Sequence, residues 1–170
     1  MGWEEKVRRV VPYIPGEQPK QKGIIKLNTN ECPYPPSPLV KRKAAEFQTD
    51  ELRLYPDPDA SLLVKSLADY YGVKEDQIFV GVGSDDVLAM CCLTFFNSDR
   101  SVLFPDITYS FYDVWAELFQ IPYRCPALDE DFRLKKEDYL SENGGIVIPN
   151  PNAPTGLYEE LDTIEEIVAS

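Results

Sequence analysis

The spacing of apolar residues along the chain changes near residue 59. Beyond that point, stretches with apolar residues at helical spacing alternate with short apolar runs that favour β-strands. The spacing predicts helices over residues 60–71 (ending at Gly72), 84–97, 109–120 and 159–169, and one helical turn over 136–140. The short runs predict strands over residues 78–82, 101–104, 123–127 and 145–149. Alternating helices and strands indicate an α/β fold with a largely parallel sheet.

Prolines separate residues 1–58 from the remainder of the chain. The 170 residues include 15 prolines, and most of them lie before residue 59, where they interrupt long helices and strands. Only a short helix over 4–11, a short strand over 24–27 and a helix over 39–47 are predicted there. We therefore divide the chain into a Pro-rich N-terminal arm, residues 1–58, and an α/β region, residues 59–170.

The predicted sheet needs more cover than the sequence supplies. Short, wholly apolar strands belong to sheets with helices on both faces. The chain ends in the helix over 159–169, with few helices to cover both faces. We expect it to be the N-terminal part of a longer protein, incomplete at the C-terminus; a compact domain that ends in a helix is the alternative.

Charge and composition exclude several classes of function. With 17 Lys and Arg against 29 Asp and Glu, the net charge is 17 − 29 = −12, which disfavours nucleic-acid binding. Histidine is absent from the sequence, so His-based catalysis and His-ligated metals are excluded, and no metal site is predicted. No apolar run is long enough for a signal peptide or a membrane span. The four cysteines form no CxxC pair and predict reduced thiols in a cytoplasmic protein.

Polar or aromatic loops follow three of the predicted strands. The first, GVGSDD at 81–86, opens a helix, where free N–H groups and the helix dipole attract anions. Ser84 is a suitable N-cap, so a well-capped helix explains the same residues. The segment lacks the Gly-Lys-Ser/Thr ending and the full GxGxxG spacing, which disfavours nucleotide binding.

The other two loops add an aromatic wall and a rigid polar turn. Tyr109 and Tyr112 follow the strand over 101–104, where they either stack on a planar ligand or pack the next helix. The loop NPNAPTG at 150–156 follows the strand over 145–149 and is either an ordinary turn or a holder of fixed hydrogen-bonding groups. Because all three loops fall at one edge of the sheet, they indicate a ligand crevice.

Five short segments together resemble one enzyme family. They are LNTNECP at 27–33, RLYP at 53–56, GSD at 83–85, PDITY at 105–109 and NPNAPTG at 150–156. In this order and spacing they resemble the histidinol-phosphate aminotransferases, which are fold-type I enzymes that use pyridoxal 5'-phosphate. The resemblance extends from about residue 13 to residue 156, and the first two segments narrow it to this family and its close relatives.

The resemblance implies a fold, a reaction and a homodimer. Residues 59–170 would be the N-terminal part of a large three-layer cofactor-binding domain with a mostly parallel sheet. The reaction would transfer an amino group between glutamate or 2-oxoglutarate and histidinol phosphate or imidazole acetol phosphate, in histidine biosynthesis. Its partner would be a small phosphorylated amino substrate, with neither nucleic acid nor membrane involved.

The resemblance also implies roles for individual residues. The backbone of Gly83, Ser84 and Asp85 would hold the cofactor phosphate, and Tyr109 would stack on the pyridine ring. Tyr55 would reach the phosphate bound by the neighbouring subunit. Tyr13 and Asn30 would line the substrate pocket.

The sequence departs from the family pattern in two places. Ala153 occupies the position of an Asn that, in the family, binds the ring hydroxyl of the cofactor. Either Asn152 or Asn150 takes over that contact or it is absent, and we assign it to Asn152. The family's Schiff-base lysine would lie beyond Ser170, so no catalytic residue is assigned and the 170-residue chain alone is predicted to be inactive. Two alternatives stay open: a threonine-phosphate decarboxylase of cobalamin biosynthesis, which shares the cofactor site, and a non-catalytic α/β fragment.

Overall fold

The computed structural model describes residues 2–170, which form two compact units. One unit contains residues 2–13 and Gly81–Ser170, and the other contains Ile14–Val80. The α-helices of the described residues are α1 (Pro38–Glu46), α2 (Ser61–Tyr71), α3 (Ser84–Phe95), α4 (Tyr112–Phe119) and α5 (Leu161–Val168). These two units do not coincide with the arm (residues 1–58) and the α/β region (residues 59–170) predicted from the sequence. The boundary between residues 58 and 59 stays a prediction.

The first unit is built on a three-stranded parallel sheet. Its strands are β1 (Val102–Leu103), β2 (Tyr123–Arg124) and β3 (Gly145–Ile146), in the order β2-β1-β3. Both ladders are parallel, and Val102 is opposite Tyr123 on one side and Gly145 on the other. The predicted parallel α/β fold is confirmed.

Two cores, one on each face of the sheet, follow from the two-residue period of a strand. Val102 and Phe104 pack on one face with Ala116 of α4 and with Ile121. Leu103 points to the other face and packs with Tyr139 and with Ile167 of α5. The central strand is therefore covered by helices on both sides, as expected for a three-layer fold.

The second unit contains α1, α2 and two short 3₁₀ turns, at Thr49–Arg53 and Glu75–Gln77. Ser37 caps α1, since its side chain accepts a hydrogen bond from the backbone N–H of Val40. Gly72 ends α2 with φ of 68°, a left-handed conformation that glycine adopts without steric cost. The helices predicted over 39–47 and 60–71 are confirmed.

Two predicted strands are wrong. Residues 24–27 and 78–82 form no strand in the structure. Ile25, Leu27 and Val82 are 84%, 90% and 93% exposed, so these apolar side chains have no packed face. A β-rich sequence becomes a strand only where a neighbouring strand and a buried face are present.

Several other elements are shorter than predicted. The helix expected over 4–11 is a 3₁₀ turn at Trp3–Lys6, and the turn expected over 136–140 is a 3₁₀ turn at Lys136–Tyr139. Each strand pairs over two residues only, and Pro122 and Pro126 flank β2, where proline has no N–H to donate to a ladder. No helix within residues 2–170 is long and apolar enough to cross a membrane.

Candidate active site

The start of α3 presents backbone N–H groups that no side chain caps. Gly83 is the residue before the helix, with φ of 88° and ψ of 171°, and no side chain among residues 2–170 caps it. That backbone conformation is nearly restricted to glycine. Ser84, which was predicted to be the N-cap, is instead the first helical residue and is exposed, so its N–H and hydroxyl are available to a ligand. The arrangement is an anion-binding helix start.

Both carboxylates of the first turn of α3 accept hydrogen bonds from the protein. Asp86 Oδ2 accepts a hydrogen bond of 3.1 Å from the backbone N–H of Val82. A side chain at Gly81 would place its Cβ 2.8 Å from the same oxygen, so it would displace the Asp86 carboxylate from this position. Asp85 Oδ1 accepts a hydrogen bond of 2.8 Å from the hydroxyl of Tyr109. These bonds fix the loop before α3 in one conformation.

Tyr109 is a half-buried ring beside this helix start. Its ring lies 5.6 Å from that of Phe111 and 5.6 Å from that of Tyr112. Burial, together with the hydrogen bond to Asp85, raises the pKa of Tyr109 to about 12. The phenol is therefore protonated at neutral pH and serves as a donor. Tyr109 belongs to neither buried cluster, which favours a ligand-facing wall over core packing.

Tyr13 lies in the same unit as Tyr109 and reaches the same aromatic group. The rings of Tyr13 and Phe111 are 4.4 Å apart and tilted by 34°. Arg8 donates a hydrogen bond of 2.6 Å to the carbonyl of Leu118, so residues 2–13, the N-terminal segment, follow the surface of α4. The structure thus brings the predicted substrate residue Tyr13 to the aromatic group that contains Tyr109.

Asn152 connects two of the predicted loops. Its Nδ2 donates to the carbonyl of Ile107 at 2.9 Å, and its Oδ1 accepts from the hydroxyl of Thr108 at 2.9 Å. Its backbone N–H bonds to the carbonyl of Leu157, and its carbonyl accepts from the N–H of Gly156. Asn152 therefore holds the turn over 150–156 against the loop that carries Tyr109. Its contact with a cofactor stays a prediction.

Asn150 anchors the other end of the same turn. Its Nδ2 donates to the carbonyl of Glu159 at 3.0 Å, and its Oδ1 accepts from the N–H of Glu159 at 2.9 Å. Ala153, the residue after Asn152, is exposed and offers no polar side chain. The rigid-loop interpretation of NPNAPTG is consistent with these bonds.

Two further predicted residues, Tyr55 and Asn30, lie in the other compact unit. The side chain of Tyr55 is fully exposed, at 101% of its reference area, just after the 3₁₀ turn Thr49–Arg53. Asn30 is exposed in the left-handed conformation, with φ of 51°. Neither side chain is needed for packing within its own unit, so both are free to act on a ligand or a second subunit.

The segment that carries Asn30 is held by a lysine that sequence reasoning missed. Lys26 Nζ donates to Gln18 Oε1 at 2.9 Å and to Thr29 Oγ1 at 3.0 Å, and it also pairs with Glu31. The hydrogen bond from Lys26 lowers the pKa of Glu31 below its usual range. Spacing alone could not reveal the cluster, because Gln18 approaches only after the chain reverses.

The lysines of residues 2–170 are poor candidates for a covalent bond to a cofactor. Lys26 and Lys136 are half-buried and paired with Glu31 and Glu166, and the others are exposed. A lysine nucleophile needs a lowered pKa, which comes from an apolar or cationic environment. Salt bridges to glutamates have the opposite effect, and the pairing with Glu166 raises the pKa of Lys136.

The site suits a planar, phosphorylated ligand. Among the described residues, no side chain caps the N–H groups of the helix start at Gly83, which suit a phosphate. Tyr109 offers an aromatic face beside them, and its protonated hydroxyl is bonded to Asp85. Pyridoxal 5'-phosphate combines a phosphate with a flat heteroaromatic ring. The described residues therefore fit the group that the sequence resemblance implied.

One known protein family matches most of the chain. The family model for aminotransferases of class I and II matches residues 22–170. The chain belongs to this family. Membership confirms the predicted resemblance.

Curated family members resemble the chain along nearly all of its length. Histidinol-phosphate aminotransferase 1 of Hydrogenovibrio crunogenus is 52% identical over 166 residues, or 98% of this chain. The histidinol-phosphate aminotransferase of Lactococcus lactis subsp. cremoris is 52% identical over 168 residues, and that of Clostridium botulinum is 50% identical over 166. The chain spans about half, 47%, of the length of these relatives.

Solved structures of family members share the fold. A protein from Erwinia carotovora atroseptica superposes with a TM-score of 0.72 at 20% identity, covering 84% of this chain and 42% of that one. An aminotransferase structure from Burkholderia pseudomallei gives a TM-score of 0.72 at 19% identity, covering 83% of this chain and 44% of its own. The predicted fold-type I architecture is thereby confirmed.

Proposed function

We propose that this chain, within a protein of its relatives' full length, serves as a histidinol-phosphate aminotransferase. The reaction transfers an amino group between glutamate or 2-oxoglutarate and histidinol phosphate or imidazole acetol phosphate, in histidine biosynthesis. The observation that carries the proposal is identity of about half over nearly the whole chain with relatives of that name. The geometry at α3 and Tyr109 independently supports a phosphorylated planar cofactor, not a particular substrate.

Four residues at and beside the start of α3 would hold the phosphate and one face of the ring of pyridoxal 5'-phosphate. The backbone N–H groups of Ser84 and Asp85 and the Ser84 hydroxyl would bind its phosphate, with Gly83 allowing close approach. The ring of Tyr109 would cover one face of the pyridine. When bound, this cofactor supplies an electron sink for bond breaking at the amino-bearing carbon of the substrate.

The protein's own contribution at this point is rigid placement. Asp85 accepts a hydrogen bond from the phenol hydroxyl of Tyr109, which fixes the ring relative to the helix start. Asn152 ties the loop over 105–109 to the turn over 150–156, so the Tyr109 ring and the turn are held in one arrangement. Preorganised donors and a fixed ring need no rearrangement when a ligand binds.

The substrate and subunit roles rest on exposed side chains. Tyr13 and Asn30 would line the pocket for the phosphorylated substrate. Tyr55 would bind the phosphate held by a neighbouring subunit, so the active site would require a homodimer. The full exposure of the Tyr55 side chain supports this role, because a side chain committed to its own subunit would be covered.

The two alternative functions gain no support from the comparisons. The three relatives described above are named histidinol-phosphate aminotransferases, and none of them is named a threonine-phosphate decarboxylase. The environments of the described lysines support the expectation that the 170-residue chain by itself is inactive. The four cysteines are free thiols, which is consistent with the proposed cytoplasmic location.

A substrate comparison tests the proposed function. The full-length protein, loaded with pyridoxal phosphate, is incubated with histidinol phosphate and 2-oxoglutarate, and glutamate formation is measured. A parallel reaction with threonine phosphate measures released CO₂. We expect glutamate from the first reaction and no CO₂ above background from the second. CO₂ release without glutamate would overturn the assignment in favour of the decarboxylase.

A further inference from the structure

We propose that Phe111 is a positioning residue that couples the N-terminal segment, residues 2–13, to the ring of Tyr109. The proposal rests on the proposed function, because it concerns the cofactor and substrate of the same site. The ring of Phe111 lies 4.4 Å from that of Tyr13 and 5.6 Å from that of Tyr109, measured between ring centroids. The residue predicted to meet the substrate and the residue predicted to cover the cofactor thus share one neighbour.

The position of Phe111 is fixed by α4. Its carbonyl accepts the hydrogen bond from the N–H of Trp115 that begins the helix, at 3.0 Å. Its ring also lies 5.7 Å from that of Trp115, and Trp115 lies 5.8 Å from Phe119. Tyr13, Phe111, Trp115 and Phe119 therefore form an aromatic row, which ends at Tyr13 on one side and at the sheet-packed Phe119 on the other.

Phe111 contributes little to the core compared with its neighbours on α4. Tyr112 and Phe119 pack against the buried cluster of Val102 and Phe104, whereas Phe111 does not. The ring of Phe111 lies outside the core and contacts two site residues, so its role is to hold those two residues in position relative to each other. Phe111 forms one aromatic pair with Tyr13 and one with Tyr109. Each pair favours the packed arrangement of its two rings by a factor of about two to ten.

The contact implies reciprocal coupling between the cofactor and the N-terminal segment. A cofactor that stacks on Tyr109 restricts that ring and, through it, Phe111. A restricted Phe111 holds Tyr13, so the segment should dissociate from α4 less often when the cofactor is bound. By linkage, displacement of the segment should weaken cofactor binding by the same factor.

Limited proteolysis measures this coupling without relying on activity. Arg8 and Arg9 are exposed sites for trypsin within the N-terminal segment. In the full-length protein, saturating pyridoxal phosphate should slow cleavage at these sites at least twofold. In Phe111→Leu the protection should disappear, and the dissociation constant of the cofactor should rise about two- to tenfold. Phe111→Tyr, which keeps the ring, should restore both.

Phe119→Leu is the matched control, since it removes an aromatic side chain from the same row without touching Tyr13 or Tyr109. It should lower the melting temperature more than Phe111→Leu does, yet keep the cofactor-dependent protection. The KM for histidinol phosphate should rise in Phe111→Leu and stay unchanged in Phe119→Leu.

The outcomes separate the two proposals. If the wild-type protein binds pyridoxal phosphate and forms glutamate, but Phe111→Leu keeps full protection and affinity, the positioning role is wrong. Equal loss of protection in both variants would also overturn it, because general destabilisation would then explain the effect. If the wild-type protein binds no cofactor at all, the proposed function itself fails.

Discussion

The hydroxyl of Tyr109 donates a hydrogen bond of 2.8 Å to Oδ1 of Asp85, across 24 residues of sequence. Asp85 lies in the first turn of α3, and Tyr109 lies in the loop between β1 and α4. The bond therefore fixes an aromatic ring beside the helix start that is proposed to bind phosphate. It also occupies the carboxylate of Asp85 with a protein donor, which weakens its repulsion of a bound anion.

Replacement of Tyr109 should separate stacking from hydrogen bonding. In the full-length protein, Tyr109→Ala removes both and should weaken pyridoxal phosphate binding more than it lowers stability, because the ring belongs to neither buried cluster. Tyr109→Phe keeps the ring and loses one hydrogen bond to the carboxylate of Asp85, which costs about 1.5–3 kcal/mol. Cofactor titration and urea unfolding of the apoprotein give the two quantities. A steep loss of stability at constant cofactor affinity would assign Tyr109 to the core.

Alkaline pH should remove the stabilisation that Tyr109 provides. Its pKa is raised from 10.0 to about 12 in the folded protein, so the protonated phenol stabilises the fold. This contribution is complete below about pH 10 and is lost as the pH rises toward 12. The free energy of unfolding of the wild type, minus that of Tyr109→Phe, should therefore stay constant from pH 8 to 10 and then decrease. A difference that is already gone at pH 9 would contradict the raised pKa.

Gly83 should be irreplaceable for cofactor binding. Gly83→Ala meets no atom within 4 Å, but its φ of 88° with ψ of 171° strains any L-residue by about 1–3 kcal/mol. Relief of that strain would rotate the N–H groups at the start of α3, so affinity for pyridoxal phosphate should fall. Gly72→Ala is the control, since Gly72 also has positive φ and open space but ends α2. The stability of Gly72→Ala should fall while its affinity for pyridoxal phosphate stays at the wild-type value. Equal losses of cofactor affinity in both variants would refute the role of Gly83.

Tyr55 should support cofactor binding through a second subunit. Tyr55→Phe in the full-length protein removes one charge-assisted hydrogen bond to the phosphate, which is worth about 1.5–3 kcal/mol of affinity. Tyr34→Phe, at another exposed tyrosine of the same unit, should change nothing. The dissociation constant of the cofactor, measured at protein concentrations where the protein is dimeric, decides the matter. An unchanged constant in Tyr55→Phe would argue against a shared active site.

Local sequence signals predicted the five α-helices, α1 to α5. The end of α2 at Gly72 and the start of α3 near Ser84 follow from residues adjacent in sequence. The strand predicted over 78–82 failed because an apolar run does not show whether a neighbouring strand exists. The bond from Tyr109 to Asp85 and the contact of Tyr13 with Phe111 depend on how distant segments pack, which spacing along one chain does not contain.

Titration of the full-length protein with pyridoxal phosphate, followed by the visible absorbance of the bound cofactor, tests the central claim most directly. We predict one cofactor per chain for the wild type, weaker binding in Tyr109→Ala and Gly83→Ala, and the weakest binding when both changes are combined. Wild-type affinity in the double variant would show that the start of α3 and the ring of Tyr109 do not form the cofactor site.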